Sequence, residues 1–309
     1  MTTILFAAKE ERWDDYEAPL RAAFEEAGLE AELVTSAKPE EVEYIVYAPN
    51  SDVQDFTPFT RLKAVLNLWA GVEDVAGNET LKAPLARMVD PGLTEGMVEW
   101  VTGHVLRHHL GIDTDITRDS AEWAPRVPPL ARERRVTILG LGALGQACAR
   151  ALADLNFDVA GWSRRAKTLD GVVTFAEADG FATALARSDI LVLLLPLTPS
   201  TENLLNAKAL AALPEGAIII NPGRGPLIDD EALLDALDTG HVGHATLDVF
   251  REEPLPADHP YWTDPKVTVT PHIASATRPA TAARVIAENI RRGEVGEPFL
   301  HLVDRTAGY

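Results

Sequence analysis

Three residues of this 309-residue chain carry side chains suited to moving a proton beside a carbonyl group: Arg224, Glu253 and His272. Arg224 lies in Asn221-Pro-Gly-Arg-Gly225, directly after the apolar run 217–220. Glu253 lies in Leu247-Asp-Val-Phe-Arg-Glu-Glu253-Pro-Leu-Pro256, and His272 in Val269-Thr-Pro-His-Ile-Ala274. Each segment follows a strand-like run, which puts a polar group where an apolar sheet opens to ligand. A guanidinium offers a fixed fork for a carboxylate and a charge for a carbonyl oxygen. An imidazole can donate a proton near neutral pH, and a carboxylate beside it can hold its ring. Taken singly, each also fits a surface arginine, a helix-end glutamate or a satisfied histidine. Together they are the parts needed to reduce a 2-keto acid. Asp248, after a strand, reads as a residue serving a cofactor rather than the proton.

A reduction needs a hydride source, and the chain has a place for one. Val136-Thr-Ile-Leu-Gly-Leu-Gly-Ala-Leu-Gly145 runs apolar residues into G-x-G-x-x-G, and a helical pattern follows from Ala143 to Leu155. In such a strand–turn–helix corner Gly140 permits the turn, Gly142 lets the backbone approach a pyrophosphate, and Gly145 lets helix pack on strand. N–H groups at the helix start, Ala143 and Leu144 among them, then meet the phosphates. About 20 residues on, where an NAD-binding unit carries an acidic residue, stand Ser163, Arg164 and Arg165. Asp158 is acidic but opens the strand, at the wrong end. A carboxylate would repel a 2′-phosphate, whereas arginine can pair with one, so the segment favours NADP(H) over NAD(H).

The elements that must position these groups alternate along the chain. Residues 3–8 read as a strand, 13–27 as a helix closed by Gly28, and short apolar runs follow at 31–34, 44–48, 64–69 and 85–89. A helix over 94–110 leads through the proline-rich, charged connection 124–135 into a second unit. There strands at 157–162, 190–195, 217–221, 245–249 and 267–270 alternate with helices at 181–187 and 229–237. The expected fold class is α/β, with two Rossmann-like or flavodoxin-like doubly wound parallel-sheet domains and a cleft between them. Leu68-Trp-Ala-Gly-Val-Glu73 closes a strand of the first unit, and on its own it reads as an ordinary strand-to-helix turn.

Composition narrows the field further. The net charge is −19, from 47 acidic and 28 basic residues, which argues against nucleic acid or an anionic membrane as partner. Cys148 is the sole cysteine, so no internal disulfide forms, and its place after the glycine loop suits packing. No signal-peptide pattern or membrane-length apolar run is present, so a cytoplasmic location is expected. His104 and His108 at i, i+4, and His241 and His244 around a glycine, have no acidic or cysteine partners placed with them; no metal is expected.

The motifs at 140–145, 221–225, 247–256 and 270–274 resemble those of the D-isomer-specific 2-hydroxyacid dehydrogenases. Within that family the chain is similar to the NADPH-dependent glyoxylate/hydroxypyruvate reductases of the A type. Trp162-Ser-Arg, Leu195-Pro-Leu-Thr198, Pro271-His-Ile-Ala-Ser-Ala-Thr-Arg-Pro279 and the closing Val303-Asp-Arg-Thr-Ala-Gly-Tyr309 fit as well. The resemblance implies an Arg–Glu–His catalytic set, mapping onto Arg224, Glu253 and His272. It implies a substrate carboxylate held by backbone amides of Trp69, Ala70, Gly71 and Val72, with Arg224 and His272 completing the substrate contacts. It also implies cofactor contacts at Leu195, Pro196, Asn221, Pro222, Gly223, Asp248 and Ala274. Residues 1–96 with 276–309 would form the substrate domain, 97–275 the NADP(H)-binding Rossmann domain, and the protein a homodimer.

One position departs from the family pattern. Pro222 stands where the family usually has a small residue, and it removes one backbone N–H near the nicotinamide site. Two other readings stay open. One is a reductase of bulkier 2-keto acids such as phenylpyruvate, with Trp69, Trp100 or Trp123 either shaping the pocket or packing in the core. The other is a non-catalytic dinucleotide-sensing protein of the same fold.

Overall fold

A computed structural model describes all 309 residues. Its contacts divide the chain into two units, Met1–Leu93 with Ala276–Tyr309, and Thr94–Ser275.

The first unit is built on a five-stranded parallel sheet in the order β2-β1-β3-β4-β5. Its strands are β1 (Thr2–Ala7), β2 (Ala31–Val34), β3 (Tyr44–Tyr47), β4 (Ala64–Asn67) and β5 (Leu85–Ala86). Successive side chains of β1 face opposite ways, as a strand requires. Ile4 and Phe6 join one buried cluster under α1 (Trp13–Glu26), while Leu5 and Ala7 join the other. The helix α2 (Glu73–Ala76) follows β4, and α3 (Pro91–Leu110) carries the chain from the first unit into the second.

The second unit is a seven-stranded parallel sheet in the order β12-β11-β10-β9-β6-β7-β8. A short helix α4 (Ile112–Ile116) precedes it. The strands are β6 (Arg135–Leu139), β7 (Asp158–Ser163), β8 (Val173–Ala176), β9 (Ile190–Leu193), β10 (Ala217–Asn221), β11 (Val242–Leu247) and β12 (Val267–Val269). Four helices lie between them: α5 (Ala143–Asp154), α6 (Glu177–Ala186), α7 (Ala207–Ala211) and α8 (Asp230–Asp238). Ile190 and Val192 of β9 pack into a cluster with α3 and α5, while Leu191 and Leu193 pack into the cluster with α7 and α8. Both faces are covered, which is why β9 reads as an unbroken apolar run.

Cys148 is buried in α5 and its thiol is pushed up to about 12 by desolvation, as suits packing. Four elements were not anticipated, among them the short helices α4 and α7. β8 is a half-exposed edge strand, and α9 (Pro279–Val295) returns the chain to the first unit, packing Ala282, Ile286 and Ile290 beside α1. No helix is long and apolar enough to cross a membrane.

Candidate active site

The second-unit residues singled out from sequence stand at the carboxyl edge of the seven-stranded sheet. Sheet order makes the ends of β10, β11 and β12 neighbours, and these carry Arg224, Glu253 and His272 respectively. The glycine turn follows β6, Ser163–Arg165 end β7, and Leu195-Pro196 follow β9. In an open parallel sheet this edge, where strand order reverses about β6, is where ligands bind.

His272 and Glu253 form a pair, with Nδ1 and Oε2 2.7 Å apart. An ionised carboxylate only accepts hydrogen bonds, so Nδ1 carries the proton and Nε2 is the outward nitrogen. The other carboxylate oxygen of Glu253 accepts from the Phe250 N–H at 2.9 Å, so the glutamate is itself held. His272 sits at φ +52°, an uncommon conformation for a residue with a side chain.

Asp248 holds it there. Its carboxylate is 0% exposed and accepts from Thr270 Oγ1 at 2.6 Å, Ile273 N–H at 2.9 Å and Ala274 N–H at 2.8 Å. Its backbone carbonyl accepts from the His272 N–H at 2.8 Å. Expected beside a cofactor, Asp248 gives its carboxylate to the loop that carries the histidine, while its backbone N–H donates to the Asn221 carbonyl at 3.0 Å.

The Arg224 turn is braced by the Asn221 side chain. Its Nδ2 donates to the Arg224 carbonyl at 2.9 Å, and its Oδ1 accepts from the Gly223 N–H at 3.1 Å. The bracing bonds skip position 222, so Pro222 removes an N–H that the turn does not use. Gly225 is required by packing: a Cβ there would lie 2.0 Å from the Phe250 carbonyl carbon. Arg224 Nη1 donates to the Gly223 carbonyl at 2.7 Å.

The glycine turn fits a dinucleotide. A Cβ on Gly145 would lie 1.8 Å from the Gly140 carbonyl oxygen, so only glycine lets α5 approach β6. A Cβ on Gly142 would meet nothing within 4 Å, so the turn is open above that point. α5 has no side-chain cap, which leaves the N–H groups of Ala143 and Leu144 for an anion. Ser163 Oγ donates to the Arg165 carbonyl at 2.7 Å, so this hydroxyl shapes the basic turn. Arg164 and Arg165 are exposed. Sequence reasoning passed over Lys167, whose Nζ donates to the Leu141 carbonyl of the glycine turn at 2.5 Å and adds a third cation there. Leu195 and Ala274 are buried, and the Pro196 carbonyl accepts from Thr201 Oγ1 at 2.8 Å.

In the first unit the 69–72 turn is more than a connection. Asn67 Nδ2 donates to the carbonyls of Trp69 and Gly71, both at 2.9 Å, which turns those oxygens inward. The N–H groups of Ala70, Gly71 and Val72 have no acceptor within the protein. Successive unpaired N–H groups in a turn make an anion-binding concavity. Asn67 is the residue that sequence reasoning missed here, since its role rests on a side chain folding over its own turn.

The paired histidines of the sequence resolve differently. His108 Nε2 lies 2.8 Å from Thr246 Oγ1, and His244 Nε2 lies 2.8 Å from Thr268 Oγ1. Burial lowers the pKa of both, His108 to about 3. His241 Nε2 faces the Leu210 carbonyl at 3.0 Å.

Sheet order, glycine turn and the acid–base pair define a dinucleotide-binding α/β protein with dehydrogenase-type chemistry. Residues 103–274 match the family profile described as D-isomer specific 2-hydroxyacid dehydrogenase, NAD binding domain. Glyoxylate/hydroxypyruvate reductase A of Serratia proteamaculans is 41% identical over 257 residues, covering 81% of this chain and 82% of that protein. A D-isomer specific 2-hydroxyacid dehydrogenase from Xanthobacter autotrophicus Py2, solved with NADPH and MES, is 42% identical with a TM-score of 0.92, covering 100% of this chain and 99% of that one. The NADPH-dependent glyoxylate/hydroxypyruvate reductase of Sinorhizobium meliloti, solved with NADP and sulfate, is 35% identical with a TM-score of 0.86, covering 100% of both chains. The chain belongs to the D-isomer specific 2-hydroxyacid dehydrogenase family.

Proposed function

We propose that this protein is an NADPH-dependent reductase of small 2-keto acids, converting glyoxylate to glycolate and hydroxypyruvate to D-glycerate. The observation that carries the reading is the His272–Glu253 pair at 2.7 Å, with Nε2 left outward at the carboxyl edge of a dinucleotide-type sheet. The names of the relatives, and the NADPH and NADP in their structures, support it.

Gly140, Gly142, Ala143, Leu144 and Gly145 would hold the pyrophosphate, and Arg164, Arg165 and Lys167 the 2′-phosphate, on a turn shaped by Ser163. Leu195, Pro196, Asn221, Pro222, Gly223 and Ala274 would flank the nicotinamide end. When bound, the reduced nicotinamide supplies a hydride for the keto carbon. The amides of Ala70, Gly71 and Val72 hold the substrate carboxylate, and Arg224 draws charge onto the keto oxygen. His272, having taken a second proton from water at Nε2, gives that proton to the oxygen as the alkoxide forms and is left with its Nδ1 proton on Glu253, which holds the ring for the transfer. A carbonyl thus gains one hydride and one proton and becomes a secondary or primary alcohol. Asp248 fixes the loop on which His272 rides.

A second reading, reduction of bulkier 2-keto acids, draws on Trp69, 39% exposed on the substrate turn. Trp100 packs at a tilt against His104 instead, with ring centroids 4.2 Å apart. We place the protein in the cytoplasm as a homodimer. Trp123 and Val127 are 91% and 94% exposed on the arm between α4 and β6. Arg126 clamps that arm through both oxygens of Asp115 at 2.6 Å, so the apolar groups are presented on a fixed segment that a second copy would cover.

The test is NADPH oxidation at ~340 nm, the reduced-nicotinamide band, with glyoxylate, hydroxypyruvate, pyruvate and phenylpyruvate, repeated with NADH. Fast turnover of the first two with NADPH is expected. Preference for phenylpyruvate would favour the second reading, and cofactor binding without turnover of any substrate would indicate a sensor.

A further inference from the structure

One partly buried arginine of the first unit has no partner. Arg12, Arg21, Arg61, Arg284, Arg291 and Arg292 pair with acids. Arg305 donates to the carbonyls of Ala76, Asn78 and Leu81, and Arg278 is exposed to solvent. Arg87 is half-buried, and its guanidinium makes neither hydrogen bond nor ion pair. Burial lowers its pKa, and no carboxylate stands near enough to offset that. In a chain with 47 acidic residues, none has been placed against this cation. A desolvated, uncompensated charge is unfavourable unless something else completes it.

Its position says what that is. β4 and β5 pair in register, Val65 with Leu85 and Leu66 with Ala86. Asn67 and Arg87 are the next residues along the two segments, and alternation puts them on the face of Val65 and Leu85, which share one buried cluster. Asn67 is the residue that folds over the 69–72 turn and turns its carbonyls inward. The Met88 N–H donates to the Trp69 carbonyl at 3.0 Å, tying the residue after Arg87 to the same turn. The Arg87 N–H donates to the His301 carbonyl at 3.0 Å, so the backbone at this point is held on both sides. A fixed cation and three free amides therefore stand at the carboxyl ends of two adjacent strands.

We propose that Arg87 is a carboxylate anchor of the first unit, binding the carboxylate of the 2-keto acid together with the amides of Ala70, Gly71 and Val72. This rests on the 2-keto acid reading above. The guanidinium offers the bidentate fork that a carboxylate matches, and the amides alone carry no full charge.

The experiment compares wild type with Arg87→Met and Arg87→Lys, in turnover and in binding of oxalate to the NADP+-loaded protein by calorimetry. Removing a charge-assisted contact made equally in ground and transition states raises KM and leaves kcat alone. For Arg87→Met we expect KM for glyoxylate, hydroxypyruvate and pyruvate to rise together by about 10- to 100-fold. Oxalate affinity should fall by a similar factor, while kcat and NADPH affinity stay within about twofold. Arg87→Lys should recover part of the loss, since it keeps the charge without the fork. Unchanged KM and oxalate affinity in Arg87→Met would overturn the proposal. So would a KM rise for hydroxypyruvate alone, which would assign Arg87 to the C3 hydroxyl, or a loss of thermal stability and NADPH binding with no selective effect on carboxylates. If wild type reduces no 2-keto acid, the functional reading fails, yet oxalate binding still decides whether Arg87 holds a carboxylate.

Discussion

Two groups of histidines in the second unit differ in almost everything but residue type. His104 and His108 on α3 and His244 on β11 lie together, with the His108 and His244 rings 4.9 Å apart. Burial lowers the pKa of all three, His108 to about 3, and the imidazole partners of His108 and His244 are threonine hydroxyls. His272 stands on a loop past β12, its side chain 53% exposed, with one nitrogen on Glu253. A strongly perturbed pKa is often taken as a mark of function. Here the perturbed group is a neutral packing element. The residue suited to chemistry is the one with an oriented partner and an open nitrogen. Desolvation alone shows burial, whereas a held carboxylate and access to solvent show a path for a proton.

The sharpest way to break this contrast is His272→Ala set against His108→Leu. Loss of a general acid should reduce kcat by about 10²- to 10⁴-fold, with folding and NADPH affinity retained. His108→Leu should turn over normally, and equal losses in the two variants would erase the distinction.

Asp248→Asn gives a smaller but more discriminating effect. The amide cannot accept from Thr270, Ile273 and Ala274 at once, so the loop of His272 should loosen. By analogy with other groups that orient a functional histidine, kcat should fall about 10- to 100-fold. NADPH affinity should stay within about twofold. A rise in NADPH Kd with kcat preserved would return Asp248 to the cofactor.

The smallest effect concerns stability against pH. An unfolded histidine takes up its proton near pH 6.5, whereas folded His108 does so only at about 3. Its contribution is thus complete above about pH 6.5 and is lost as pH falls toward the folded value, by up to about 1.4 kcal/mol per pH unit for one group. Urea unfolding at pH 7, 6 and 5 should show wild type losing stability more steeply than His108→Leu. Parallel slopes would mean that the cluster takes up its protons without unfolding.

Local chemistry made much of the second unit legible. A strand, a glycine turn and a helix are contiguous in sequence, and the Gly140–Gly145 geometry follows from steric contact within six residues. Strand ends were legible too, since apolar runs stop where the sheet opens. Residues that act across the fold were not. Lys167 reaches Leu141 from 26 residues away, and Thr270 reaches Asp248 from 22. Edge strand β8 lacks the unbroken apolar run of its central neighbours, because it is only half covered. Sequence reading placed the Ser163 hydroxyl on a phosphate and did not foresee that it also donates to the Arg165 carbonyl of its own turn.

By itself the sequence determined two parallel α/β units, a dinucleotide turn and the residue types for a carbonyl reduction. Periodicity, glycine placement and strand-end chemistry are properties of short segments, and short segments largely fix their own conformation. Only the tertiary structure decided that Glu253 meets His272, that Asp248 holds the histidine loop and that Arg87 meets no acid. Those outcomes depend on which strands become neighbours, and a register between strands distant in sequence is set by the packing of the whole sheet.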